Sequence, residues 1–130
     1  MTRALAVAFV AGAISVVIAP PAWSHHSHTM YDHNNSRTVT GTVKEFVFRN
    51  PHVFLYLDVK NERGAVETYW IEMSNIQIML KQGVSASTFK AGDVLTVRMH
   101  PLRDGRLGGN YDSLTTADGR RFSYEGVYDQ

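Results

Sequence analysis

Six histidines carry most of the chemistry this sequence can offer: His25, His26, His28, His33, His52 and His100. Four of them fall within the nine residues from His25 to His33. Imidazole is a ligand for Cu(II), Ni(II) and Zn(II), and clustering lets one short segment close around a single ion. His25, His26, His28, His52 and His100 are therefore the candidate metal ligands, with copper as the candidate cofactor. The chain has no cysteine. That excludes zinc–thiolate sites, thiol redox chemistry and anchoring through a lipidated cysteine.

What precedes the histidines decides what they can do. Arg3 gives the start of the chain one positive charge, residues 4–19 are almost wholly apolar, and Pro20-Pro21 is followed by Ala22-Trp23-Ser24. This is the order of a cleavable signal peptide, with small residues at the −3 and −1 positions of a cut after Ser24. The apolar run is shorter than the roughly 20 residues of a bilayer-spanning helix, and Gly12 and Ser15 interrupt it. The expectation is a signal peptide over residues 1–24, a periplasmic or secreted location, and no membrane anchor after cleavage.

A cut after Ser24 makes His25 the terminal residue. Its α-amine and ring nitrogen then chelate one metal together, and a second histidine from elsewhere completes a T-shaped copper site. A cut after Trp23 puts His26 third in the mature chain, and a cut after His25 does the same for His28. Either is an amino-terminal copper or nickel motif of amine, two backbone amides and imidazole. The competing reading is a solvated polar tail with no physiological ligand. Met30, Met73 and Met99 are read mainly as core filler, and Asp32 mainly as a turn former.

Asn50-Pro51-His52 is the most pointed internal motif, because Pro51 fixes φ where the chain turns into a strand. Phe54, Tyr56 and Asp58 continue the His52 face, and Trp70 and Glu72 share a face on the next strand. Phe54, Tyr56 and Trp70 are the candidate surface for a periplasmic protein or a small molecule. No nucleophile elbow, phosphate loop or paired metal-protease histidines occur in the chain, so the domain is expected to be non-enzymatic.

These residues must be positioned by a mainly β fold. Residues 25–37 show no apolar period and read as an extended arm. Val39, Gly41 and Val43 alternate, and the alternation breaks over residues 44–48 as a bulge would break it. Val53, Leu55, Leu57 and Val59 share one face of a second strand, a turn at residues 61–64 leads to a third, and Ser74 or Asn75 can cap a short helix ending near Gly83. Strands rich in Leu and Val, then Tyr and Thr, follow. Three strands, a helix and further strands is the order of a small OB-like five-stranded antiparallel barrel, with the helix between strands 3 and 4. The expected domain covers residues 38–130.

Removing residues 1–24 takes away one basic residue, Arg3, and leaves twelve Lys and Arg against twelve Asp and Glu. This even balance argues against a nucleic-acid partner, which needs a basic surface to displace counterions. Five motifs remain: His25-His26-Ser27, Gly41-Thr42-Val43, Asn50-Pro51-His52, Trp70-Ile71-Glu72 and Gly92-Asp93-Val94. Together they resemble a family of small exported bacterial proteins of unknown function. The resemblance implies an exported location and one compact domain, and it implies no activity or cofactor.

Overall fold

The computed structural model describes residues 28–125. The expected signal peptide over residues 1–24, together with His25 and His26, lies outside the described residues. In chain order there are a 3-10 turn at His28–Met30, β1 (Arg37–Val47), β2 (Phe54–Lys60), β3 (Val66–Glu72), α1 (Ile76–Lys81), β4 (Val94–Pro101), β5 (Gly108–Thr116) and β6 (Arg121–Ser123). The sheet order is β3-β2-β1-β4-β5-β6, and an additional β3–β5 pairing closes the first five strands into a barrel. Helix α1 falls between β3 and β4. This is the OB-like architecture expected from the order of elements.

The expectation of a wholly antiparallel barrel is corrected. Strands β3 and β5 pair in parallel, with Trp70 opposite Gly108, Ile71 opposite Gly109 and Glu72 opposite Asn110. The reason is geometric. Strand directions cannot alternate around a closed ring with an odd number of members, so five strands require at least one parallel seam. Strand β6 is a short addition to β5.

Strand β1 makes the barrel curve by changing partners along its length. Residues 37–42 pair with β4, and residues 42–47 pair with β2 around a register shift between Val43 and Glu45. The shift is the bulge implied by the broken alternation. Gly41 stands at the crossing, where an added Cβ would lie 2.5 Å from the Asp58 carbonyl oxygen.

Alternation then sorts the side chains. Val53, Leu55 and Leu57 point inward and are fully buried, as are Ile71, Met79, Val84, Val97 and Met99. Phe54, Tyr56, Asp58 and Trp70 face outward and are half-buried. Met73 and Met99 are core residues, as read from the sequence. Asn75 caps α1 by accepting from the Ile78 amide, and Gly83, at φ +82°, ends it. The helix buries Met79 in the core but leaves Leu80 exposed, so its apolar face is narrower than the spacing of Ile76, Met79 and Leu80 implies.

The arm is more structured than its composition suggests. After the 3-10 turn, Tyr31 forms an antiparallel bridge with Leu102. The Asp32 amide donates to the Pro101 carbonyl at 2.9 Å, and the Arg103 amide to that of Met30 at 2.9 Å. Tyr31 is 1 % exposed. One buried aromatic in a polar stretch pins the segment to the loop between β4 and β5.

Candidate functional site

The Glu72 carboxylate organises this end of the barrel. Glu72 follows Trp70 in the outward phase of β3, yet it is only 6 % exposed because two side chains cover it. The Tyr31 hydroxyl donates to Oε2. The Nδ1–H of His52 pairs with Oε1. The arm and the β1–β2 loop thus meet on one acid of β3. Desolvation, and then the bond to Glu72, push the Tyr31 phenol well above its ordinary value, so Tyr31 is the donor in this pair. Its carbonyl accepts from Arg103 Nε at 3.0 Å, which fixes the arm's backbone as well as its ring.

His52 enters this arrangement through its loop. Asn50 Oδ1 accepts from the Ile76 amide at 3.2 Å, and the Asn50–Pro51 peptide is cis. Beyond Pro51, Val53 exchanges backbone bonds with residues 73 and 74. The loop is tied to the start of α1 and to the end of β3, and His52 stands beside Glu72. With Nδ1 committed to the carboxylate, Nε2 is the nitrogen that can take a ligand. A carboxylate behind a histidine fixes the tautomer and the ring plane. His52 remains 39 % exposed, so Nε2 is within reach of an incoming group.

His100 belongs to a different neighbourhood. Glu72 pairs with Asn110 and Asn110 with His100, so two strand spacings, roughly 10 Å, separate Glu72 from His100. The Nδ1–H of His100 donates to the Asn35 carbonyl at 2.8 Å, and its ring centroid lies 5.0 Å from that of His33. His52 and His100 were both candidate partners for the same N-terminal ligand; the fold sets them in separate places. His28 opens the 3-10 turn. Among the described residues, no group of three His, Asp or Glu is arranged to hold a metal by itself.

The candidate partner surface is next to His52. Phe54 and Trp70 stack with centroids 5.4 Å apart and planes at 23°, and Tyr56 is paired with Trp70 across the strands. All three are half-buried. An open cleft of about 540 Å³ beside Arg37, Lys60, Arg63 and Tyr69 contains none of the histidines.

Tyr31 is the site residue that pattern reading did not single out, and Glu72 was placed only on the Trp70 face and in the Trp70-Ile71-Glu72 motif, with no partner. An outward acid at a strand end is ordinary, and only a long-range contact reveals it as a hub. The lone tyrosine within a polar arm was the available signal. The raised phenols of Tyr31 and Tyr111, both displaced mainly by burial, have a consequence at high pH. A group whose folded value is raised contributes stability that is complete below its unfolded value and declines above it. Thermal midpoints are therefore expected to fall as pH rises past about 10, and the fall should be shallower in Tyr31→Phe. Calorimetry from pH 8 to 11 checks this.

No curated protein matches the chain. Among solved structures, the mitochondrial single-stranded DNA binding protein Rim1 of S. cerevisiae is similar over 66 % of this chain and 97 % of its own, at 13 % identity and a TM-score of 0.48. Residues 13–111 match a family described as one of unknown function, DUF6152, and they span the arm, the barrel through the start of β5, and the whole Glu72 arrangement. The chain belongs to that family, DUF6152.

Proposed function

We propose that the protein is an exported, non-enzymatic module that binds a transition metal ion, copper in the first instance. His25 at the new N-terminus would be the primary ligand, with His26 or His28 in support and His52 Nε2 contributed by the barrel. One observation carries the reading: a single buried carboxylate holds both His52 and the arm that leads back to the histidine cluster. The 3-10 turn takes up residues 28–30, which leaves His25 three residues beyond His28, a further reach of about 10 Å when extended, from an arm pinned on the same carboxylate as His52. A terminal histidine, a rigid imidazole and a carboxylate behind it form a donor set suited to Cu(II). The apolar run ahead of residue 25 supports export, and the even charge of the remaining chain favours a metal over a nucleic acid.

The test is competitive Cu(II) titration of untagged protein beginning at His25. His52→Ala is expected to weaken binding at least tenfold, and Glu72→Gln by roughly 10–100-fold, the range for loss of a carboxylate behind a ligating histidine. Unchanged affinity in His52→Ala would remove the barrel from the site.

The stacked Phe54–Trp70 pair favours a second reading, a metal-free module that captures a protein or small molecule on the β2–β3 face. Trp70 is the sole tryptophan after residue 24, so its fluorescence reports on that face directly. Under this reading a partner changes Trp70 emission in the presence of a chelator, and Phe54→Ala weakens capture without unfolding the domain.

A further inference from the structure

Strand β1 leaves β2 part-way along its length. Its pairing with β2 starts at Thr42, opposite Asp58, while residues 37–42 pair with β4. The β2–β3 hairpin runs on past that point, with Val59 opposite Glu67 and Lys60 opposite Val66. The first half of β1 and the hairpin are therefore splayed apart, and the cleft of about 540 Å³ is lined by residues of both. That volume is in the range of small-molecule sites, about 300–1,000 Å³.

The inward rows of the barrel change character where they reach this cleft. On β1 the row Val43, Gly41, Val39 ends in Arg37, and on β3 the row Ile71, Tyr69 ends in Glu67. Tyr69 is buried and gives the cleft an aromatic wall. The Arg37 guanidinium carbon lies 5.8 Å from the centre of the Tyr69 ring, a cation–π distance. Lys60 and Arg63 line the same cleft. Among the described residues, none of these three cations is in an ion pair, although Glu62 and Glu67 line the cleft too. Glu67 instead accepts from the Asn61 side chain at 3.0 Å. Asn61 Oδ1 accepts from the amides of Arg63 and Ala65, both at 3.0 Å, so the turn that carries Arg63 is fixed.

Three cations around one concave space, held by a ring and a rigid turn rather than by acids, attract an anion. The planar fork of an arginine takes a carboxylate through two parallel bonds. Lys60 and Arg63 add charge for a second carboxylate on the hairpin side. The two acids oppose a compact, highly charged anion such as phosphate. We propose that this cleft binds a small organic di- or tricarboxylate, with Arg37 as its main contact and Lys60 and Arg63 as the others. No candidate copper ligand among the described residues lines the cleft, and neither do Phe54, Tyr56 and Trp70. The site is separate from both readings of the Glu72 end.

The test is calorimetric titration of the chain beginning at residue 25, freed of metal on a chelating resin. The probes are citrate and, separately, inorganic phosphate, at fixed ionic strength. One citrate per chain is expected to bind with a Kd of about 1 mM or below, and phosphate at least tenfold more weakly. Arg37→Gln should weaken citrate binding at least tenfold. Arg37→Lys, which keeps the charge but loses the fork, should weaken it at least threefold. Lys60→Gln combined with Arg63→Gln should also weaken it at least tenfold, and Lys81→Gln, on α1 and outside the cleft, should leave it unchanged. Arg37 is exposed, so its variants are expected to fold. Should they not, NMR of the native chain decides, where citrate is expected to shift the amides of residues 37–39 and 60–63 together. Absence of stoichiometric citrate binding, equal binding of phosphate, indifference to the cleft substitutions, or shifts confined to other residues overturns the proposal. Because the protein is metal-free and keeps His25 and His52, the outcome does not depend on whether the copper reading holds.

Discussion

Glu72→Ala is expected to lower the stability of the folded domain by about 2–4 kcal/mol and to release the arm from the barrel. Two hydrogen bonds to one charged group are lost, each of a kind worth about 1.5–3 kcal/mol, and the buried Tyr31 hydroxyl is left without its acceptor. For a domain of this size that is a fall in thermal midpoint of roughly 8–30 °C. Urea unfolding measures the loss. Amide exchange should show faster opening at residues 32 and 103, whose amides donate to the Pro101 and Met30 carbonyls and depend on the Tyr31 ring staying down. A Glu72→Ala protein as stable as the parent, with the arm still protected, would mean that the carboxylate does not hold the two segments. Tyr31→Phe should cost less, because His52 keeps its partner.

The second large effect is expected at the parallel seam. Gly108 has φ +143°, a conformation that side chains disfavour, and an added Cβ would lie 1.9 Å from the Trp70 carbonyl oxygen. Gly108→Ala therefore combines backbone strain with a clash against main chain that cannot move without opening the β3–β5 pairing. Strain costs about 1–3 kcal/mol and overpacking about 1–3 kcal/mol, so the loss should reach about 3 kcal/mol or more. The same pairing sets Glu72 opposite Asn110. A Gly108→Ala protein that remains folded should then also bind metal more weakly at His52, although Gly108 touches none of the ligands. Gly119→Ala is the control: φ there is +89°, but an added Cβ meets nothing within 4 Å, so it isolates the backbone contribution, expected near 1 kcal/mol.

The barrel was legible because its signals are local. Alternation at Val53, Leu55 and Leu57, the Asn61–Gly64 turn, the Asn75 cap and the broken alternation after Val43 each depend on a few adjacent residues. The parallel seam was not legible. It depends on Gly108-Gly109, which reads as one more turn until the backbones of Trp70 and His100 are seen beside it. The arm was misjudged for a related reason: its average polarity hid Tyr31, which finds its environment 41 residues away at Glu72. His52 was identified from its motif, but its orientation comes from an acid on another strand. Spacing gives candidate ligands; only tertiary contacts decide which nitrogen faces outward.

The proposed function joins export to chemistry: cleavage after Ser24 would create a terminal histidine that binds copper together with His52. The most direct measurement is made on protein produced with its own leader and purified without a tag, its N-terminal mass and copper content determined on the same sample. The expected result is a chain that begins at His25 and carries one copper per molecule, and loss of that copper when one extra residue precedes His25. A chain that begins at His25 without copper, or one whose copper survives the extension, would contradict it.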